Sequence, residues 1–89
     1  MTTRTFTIHN KTGLHARPAT LFVQTAAHFK SKIKVTRENH TVDAKSILGI
    51  LSLGASKGTT IDVTADGIDE TEALAALDTL LTTTIGENE

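Results

Sequence analysis

The apolar residues of this chain switch repeatedly between a two-residue and a 3.6-residue period, and that alternation restricts the fold more than any other feature. Thr5-Phe6-Thr7-Ile8-His9 alternates, with Phe6 and Ile8 on one face, as a half-buried strand does. Asn10-Lys11-Thr12-Gly13 reads as a loop. From Pro18 to about Phe29 the spacing becomes helical, with Ala19, Phe22, Val23, Ala26 and Phe29 in one apolar stripe. Lys32–Arg37 alternates again, and Thr41-Val42-Asp43 follows Glu38-Asn39-His40, where the turn chemistry of Asn39 predicts a hairpin. Ser46 is a good N-cap and Gly54 a good terminator, so a helix of about two turns is expected between them. Gly49 inside it weakens that helix by roughly 1 kcal/mol relative to Ala. Thr60–Ala65 is a fourth strand, with Ile61, Val63 and Ala65 inward. Asp69 and Glu72 have the spacing of a capping box, and Glu70 also suits a first helical turn. Ala73, Leu74, Leu77, Leu80, Leu81 and Ile85 then form a stripe ended by Gly86, expected to fray at Thr82-Thr83-Thr84. The order is β-α-β-β-α-β-α. Short strands and one-faced helices imply an α+β fold with helices on one side of a mostly antiparallel sheet.

At 89 residues the chain has room for one domain, spanning residues 1–89. Nine basic residues against ten acidic ones give a net charge of −1, without the basic surplus of nucleic-acid binders. Aromatic residues make up 3% and are all Phe, a poor supply of platforms for stacking bases. The absence of cysteine removes disulfides, thiolate metal sites and Cys nucleophiles together. The segment Met1–Phe6 has no apolar run of signal-peptide length, and no stretch approaches the roughly 20 apolar residues that span a bilayer. The expectation is a cytoplasmic protein, without membrane insertion or direct nucleic-acid contact.

Chemistry concentrates in Thr12-Gly13-Leu14-His15-Ala16-Arg17-Pro18-Ala19. Gly13 supplies a turn, and Pro18 fits the first turn of a helix, where its missing N–H has no intrahelical partner to lose. His15 therefore sits at or just before a helix N-terminus, where unpaired backbone N–H groups and the positive dipole end favour an anion. Arg17 adds a planar, permanently charged donor suited to phosphate oxygens. A reactive imidazole at an anion site suggests a phosphate carried on the His itself. Thr20, Gln24 and Ala27 share the opposite, solvent face of that helix, a small and mildly polar surface fit for docking. In the short helix, Ile47, Leu48, Ile50, Leu51 and Leu53 are too many for one buried face. Some of Ile47, Leu48 and Leu51 must meet solvent, and an exposed apolar patch suggests a partner. His9, His28 and His40 are read as solvated residues. The four histidines are too scattered for a zinc site, and no cofactor is called for.

The two segments Gly13-Leu14-His15-Ala16-Arg17-Pro18-Ala19 and Lys45-Ser46-Ile47-Leu48-Gly49-Ile50-Leu51-Ser52-Leu53-Gly54, at this separation in a chain of this length, resemble HPr. HPr is the histidine-containing phosphocarrier family of the bacterial phosphoenolpyruvate-dependent sugar phosphotransferase system. The resemblance covers essentially the whole chain. It implies an open-faced β-sandwich, a four-stranded sheet with three helices on one face, and a monomer whose contacts are transient. It implies that His15 is phosphorylated at ring Nδ1 by phospho-Enzyme I and passes the group to enzyme IIA domains of sugar permeases. The backbone of Ala16 and Arg17, with the Arg17 guanidinium, would then hold the phosphate. Such a protein is a covalent carrier rather than an enzyme with turnover of its own.

Ser46 resembles the regulatory site phosphorylated by HPr kinase/phosphorylase. The Ser-phosphorylated form in that group binds a catabolite-control transcription regulator. Thr20, Gln24, Ala27, Ile47, Leu48 and Leu51 would be the partner-binding residues. Members of the group often carry Met where this chain has Leu48 and Leu51, a change that keeps volume and loses adaptability. Paralogues that act only in regulation lack the active His, which is present here. A regulatory module signalling by phosphorylation state, including a nitrogen-branch paralogue, is the alternative. A small hydrolase has little support, since no paired carboxylates or nucleophile–base constellation occurs.

Overall fold

The computed structural model describes residues 1–9, 11 and 13–84, without the side chains of residues 83 and 84. Four strands and three helices alternate in the expected order: β1 (Thr2–Thr7), α1 (Ala16–Ala27), β2 (Lys32–Arg37), β3 (His40–Asp43), α2 (Ile47–Ser52), β4 (Thr60–Asp66) and α3 (Glu70–Thr79). The strands form one antiparallel sheet in the order β1-β4-β2-β3. Its helix-facing side buries Phe6, Ile33, Val35, Ile61, Val63 and Ala65 against Phe22 and Ala26 of α1, Ile50 of α2 and Leu74 and Leu77 of α3. Burial of these side chains, at roughly 1.5–3 kcal/mol each for the larger ones, is the main favourable term of the fold.

The outer face of the sheet is polar. Thr3 and Thr64 share a hydroxyl hydrogen bond of 2.9 Å and Thr36 and Thr41 one of 2.8 Å, while the Thr5 hydroxyl donates to Asp62 at 2.6 Å. These pairs sit directly opposite one another across neighbouring strands, where cross-strand bonds stabilise a register. The sheet is therefore covered by helices on one side only, an open-faced sandwich.

Several element ends differ from the sequence expectation. β1 covers Thr2–Thr7 rather than Thr5–His9. Ile8 continues the ladder only through loop bonds, from its N–H to Thr59 O at 2.8 Å and to its own carbonyl from Gly58 N at 2.7 Å. The hairpin forms with Arg37 opposite His40, but the left-handed residue of its two-residue turn is Glu38 (φ +57°) rather than Asn39. Val23 and Phe29 are only partly buried at the margin of the α1 stripe.

The capping box at Asp69 does not form. Asp69 occupies the N-cap position of α3, yet its side chain makes no capping hydrogen bond. Its carboxylate turns to the α1–β2 connection instead. There it accepts from the N–H of Lys30 at 2.8 Å, the N–H of Ser31 at 2.9 Å and the Ser31 hydroxyl. Ser31 is buried, and a buried hydroxyl and amide left unpaired cost more than an unpaired N–H at a solvated helix start. These donors, the Ser31 hydroxyl first and then the Lys30 amide, lower the Asp69 pKa from its usual 3.8 to about 2. The final stripe also changes character early. α3 ends at Thr79 and continues as a π-helical turn over Leu80–Thr84, at the β-branched run expected to fray. Ile85 and Gly86, like Asn10 and Thr12 of the first loop, lie outside the described residues.

Candidate functional site

His15 stands on a loop pinned from behind. The buried Leu14 donates its N–H to Ala55 O at 2.8 Å, and Ala55 is buried as well. Gly13 has φ +64°, and a Cβ there would lie 2.2 Å from Ala55 O and 2.6 Å from Ser56 Cα. Only glycine lets the two backbones approach so closely. The β1–α1 loop therefore lies directly on the α2–β4 loop, and His15 projects from that contact into solvent.

His15 is the N-cap residue of α1, with extended backbone (φ −126°, ψ 156°) and no side-chain capping hydrogen bond. Its ring is not used to satisfy the helix, and the first-turn N–H groups of Ala16 and Arg17 have no intrahelical acceptor. A twelve-residue helix places the positive end of its dipole at that point. Pro18 is the third helical residue rather than the first, still within the turn where its missing N–H is harmless. Ala16 carries φ +50°, a left-handed conformation that costs a residue with a Cβ about 1–2 kcal/mol. Strain thus sits immediately beside the exposed imidazole. Arg17 is exposed and makes no ion pair among the described residues, so its guanidinium is available to an anion.

The remaining expected residues surround this point on two packed helices. Thr20, Gln24 and Ala27 are all exposed on α1, with the Thr20 hydroxyl bonded back to Ala16 O at 3.3 Å. α2 packs against α1. On α2, Leu48 is 77% exposed and Ile47 and Leu51 are each 38% exposed, while Ile50 and Leu53 take the buried positions. Ser46 caps α2, its Oγ accepting from Gly49 N at 3.1 Å. Gly49 has a reason to be there: a Cβ would lie 3.1 Å from Val42 Cβ and 3.3 Å from Asp43 O, so α2 rides close on β3. The helix gives up propensity for that approach.

Three side chains that sequence reasoning passed over hold this arrangement together. Lys45 donates its ammonium to Phe29 O at 2.7 Å, tying the residue before Ser46 to the segment after α1. Arg37 reaches from the end of β2 to α2, donating from Nη1 to Leu53 O at 2.9 Å and to Gly54 O at 3.3 Å. His40 pairs its Nε2 with Ser52 Oγ at 3.2 Å. Each sits where sequence shows only a solvated charge or turn residue, so no local signal marks it. Among the described residues no group of His, Asp or Glu could hold a metal ion, and no helix is long and apolar enough to cross a membrane.

The open-faced α+β sandwich thus presents the exposed His15 at a helix N-terminus, beside an α2 with three exposed aliphatic side chains. The family described as "PTS HPr component phosphorylation site" matches residues 2–83. Phosphocarrier protein HPr of Neisseria meningitidis is 49% identical over 82 residues, 92% of each chain. Phosphocarrier protein HPr of Cupriavidus necator is 45% identical over 89 residues, the whole of both chains. The crystal structure of HPr-C-His from Thermoanaerobacter tengcongensis superimposes with a TM-score of 0.94 at 53% identity, covering 97% of each chain. The chain belongs to the HPr family of phosphocarrier proteins of the phosphotransferase system.

Proposed function

We propose that His15 is the residue that carries the phosphoryl group, accepted from phospho-Enzyme I and delivered to enzyme IIA domains of sugar permeases. The observation that carries this reading is the exposed His15 ring at the N-cap of α1, unused by the fold, on a backbone pinned through Gly13 and Leu14. In the transfer, the Nδ1 lone pair forms the N–P bond as the donor's bond to phosphorus breaks. The reverse displacement delivers the group to the next nucleophile. The N–H groups of Ala16 and Arg17, the helix dipole and the Arg17 guanidinium stabilise charge on the phosphoryl oxygens. Since His15 and Arg17 are open to solvent, that stabilisation stays moderate, as a carrier needs: a tightly held phosphate would slow the onward step.

The exposed Ile47, Leu48 and Leu51, with Thr20, Gln24 and Ala27, form the face to which these partners dock, and the protein works in the cytoplasm as a monomer with short-lived contacts. Phosphorylation of Ser46 by HPr kinase/phosphorylase adds about −1.5 to −2 charge beside Ile47 and Leu48. That charge penalises partners with acidic groups around the apolar patch and favours a catabolite-control transcription regulator.

Incubation with phosphoenolpyruvate, Enzyme I and a sugar-specific IIA domain, followed by measurement of acid-labile phosphate, tests the carrier reading. Wild type should accept and pass the label. If His15→Ala does so too, the assignment is wrong. If wild type accepts phosphate and no sugar IIA domain receives it, the purely regulatory reading prevails. Ser46 should take acid-stable label from ATP and a cognate kinase, and label persisting in Ser46→Ala would rule it out as the site.

A further inference from the structure

We propose that Arg37 is a positioning residue for His15, acting through the carbonyl groups at the end of α2; the inference rests on His15 being the phosphoryl acceptor. Arg37 lies at the far end of β2, opposite His40 in the hairpin, and its half-buried side chain crosses to α2. There Nη1 donates to the carbonyls of Leu53 and Gly54. The last carbonyls of a helix lack intrahelical partners and carry its negative dipole end, so a fixed cation there is favourable twice over. Gly54 adopts φ +62°, a conformation that glycine takes without strain, and a Cβ there would only come into ordinary contact with the same Nη1, at 3.4 Å.

The residue after Gly54 is Ala55, whose carbonyl accepts the Leu14 N–H. Leu14 and Ala55 are both fully buried, so no water can substitute for that bond if its geometry slips. Gly13 is pressed against Ala55 O and Ser56 Cα with no slack. The other end of this segment is fastened to the residue that follows β1, by Ile8 N–H to Thr59 O and by Gly58 N–H to Ile8 O. Backbone bonds thus fix the far end of the loop, and Arg37 supplies the side-chain tie at the near end. The links run from Arg37 to Leu53 and Gly54, then Ala55, then Leu14, and so to His15. A rigid series of this kind passes an ångström of displacement directly to the imidazole, and misplacement on that scale at a reacting centre costs up to about a hundredfold in rate.

The test compares Arg37→Met, which keeps the stem and loses every donor, with Arg37→Lys, which keeps the charge and one donor site. Both are assayed against wild type at a temperature where circular dichroism shows each fully folded. With phospho-Enzyme I as donor, the maximal rate of phosphoryl acceptance should fall about tenfold in Arg37→Met, the scale of one lost charge-assisted hydrogen bond. The half-saturating concentration should stay within about twofold, because Arg37 touches α2 from its carbonyl end and not through the docking residues. Amide exchange at Leu14 should quicken relative to the sheet amides, and Arg37→Lys should recover most of both effects.

An unchanged maximal rate in folded Arg37→Met overturns the proposal. So does a raised half-saturation at constant rate, which would move Arg37 into the docking surface, and so does an Arg37→Lys no better than Met. If wild type takes no phosphate on His15, the carrier reading has failed. The Leu14 exchange comparison then still decides whether Arg37 positions the loop.

Discussion

Gly13→Ala is the perturbation whose cost the geometry defines best. Ala at φ +64° costs about 1–2 kcal/mol in backbone strain. Its Cβ would also stand 2.2 Å from Ala55 O and 2.6 Å from Ser56 Cα, both backbone atoms, where ordinary contact begins at 3.4 Å. Relief requires the two loops to part by more than an ångström. That opens the 2.8 Å bond between Leu14 N–H and Ala55 O in a site without water, at about 1–3 kcal/mol. The total is about 2–5 kcal/mol against a domain stability on the order of 5–10 kcal/mol. Gly58 provides the control: its φ is +90° and nothing lies within 4 Å of its Cβ position, so Gly58→Ala pays only the backbone cost. Urea unfolding followed by far-ultraviolet circular dichroism should place the Gly13→Ala midpoint about 1–3 M below that of Gly58→Ala, for a slope near 1 kcal/mol/M. Equal midpoints would falsify the account of a packed loop contact beneath His15.

Two further outcomes follow from other parts of the fold. Asp69 has a pKa depressed to about 2 by the Ser31 hydroxyl and the Lys30 and Ser31 amides, so its ionised form stabilises the fold above about pH 4. That contribution is lost as pH falls through the folded value near 2; Asp69→Asn should flatten the decline of the urea midpoint between pH 4 and pH 2. Glu70, lowered chiefly by the Thr2 hydroxyl, leaves a residual slope, and an unaltered profile would show that Asp69 is not the titrating group. Leu48→Asp, at a position 77% exposed, should change stability by no more than about 0.5 kcal/mol. It should raise the half-saturating concentration for Enzyme I by at least about fivefold, the scale of a 1 kcal/mol interface residue; unaffected docking removes Leu48 from the partner face.

Sequence periodicity carried the architecture because each strand and helix has one apolar face and one core to bury it in. Phe6 and Ile8, Ile33 and Val35, and Ile61, Val63 and Ala65 could be assigned inward from spacing alone. The surplus of large aliphatics in α2 likewise required that some of Ile47, Leu48 and Leu51 meet water, and all three do. Long-range polar bonds left no such trace. Asp69 resembled a helix cap because Glu72 follows at the right spacing, but the buried Ser31, 38 residues earlier, offered it stronger donors. Gly49 looked like a weakness in a short helix until Val42 and Asp43 were placed beneath it. Arg37 and Lys45 carry no local signal of a partner, and both donate to backbone carbonyls sixteen residues away. Which side chain completes a distant carbonyl depends on tertiary geometry that no local pattern encodes.

The two halves of the candidate site are built to different tolerances, and their tasks account for the difference. The loop carrying the proposed acceptor is over-determined: Gly13 admits no side chain, Leu14 is buried and bonded, and Ala16 is held in a conformation it would not adopt alone. Strain of that kind persists only where the surroundings leave no alternative. Phosphoryl transfer needs this fixity, since its rate depends on in-line placement of the attacking nitrogen. α2, proposed for docking, is the opposite, six residues long, with a glycine inside and three aliphatic side chains toward solvent. Under the proposed function, a surface that receives a donor, releases it and receives an acceptor gains from modest apolar contacts and from a charge added at Ser46. Joining a rigid acceptor to a permissive surface requires a connection that passes position but little else. The Leu53–Ala55 segment, tied to Arg37 on one side and to Leu14 on the other, is where the two meet.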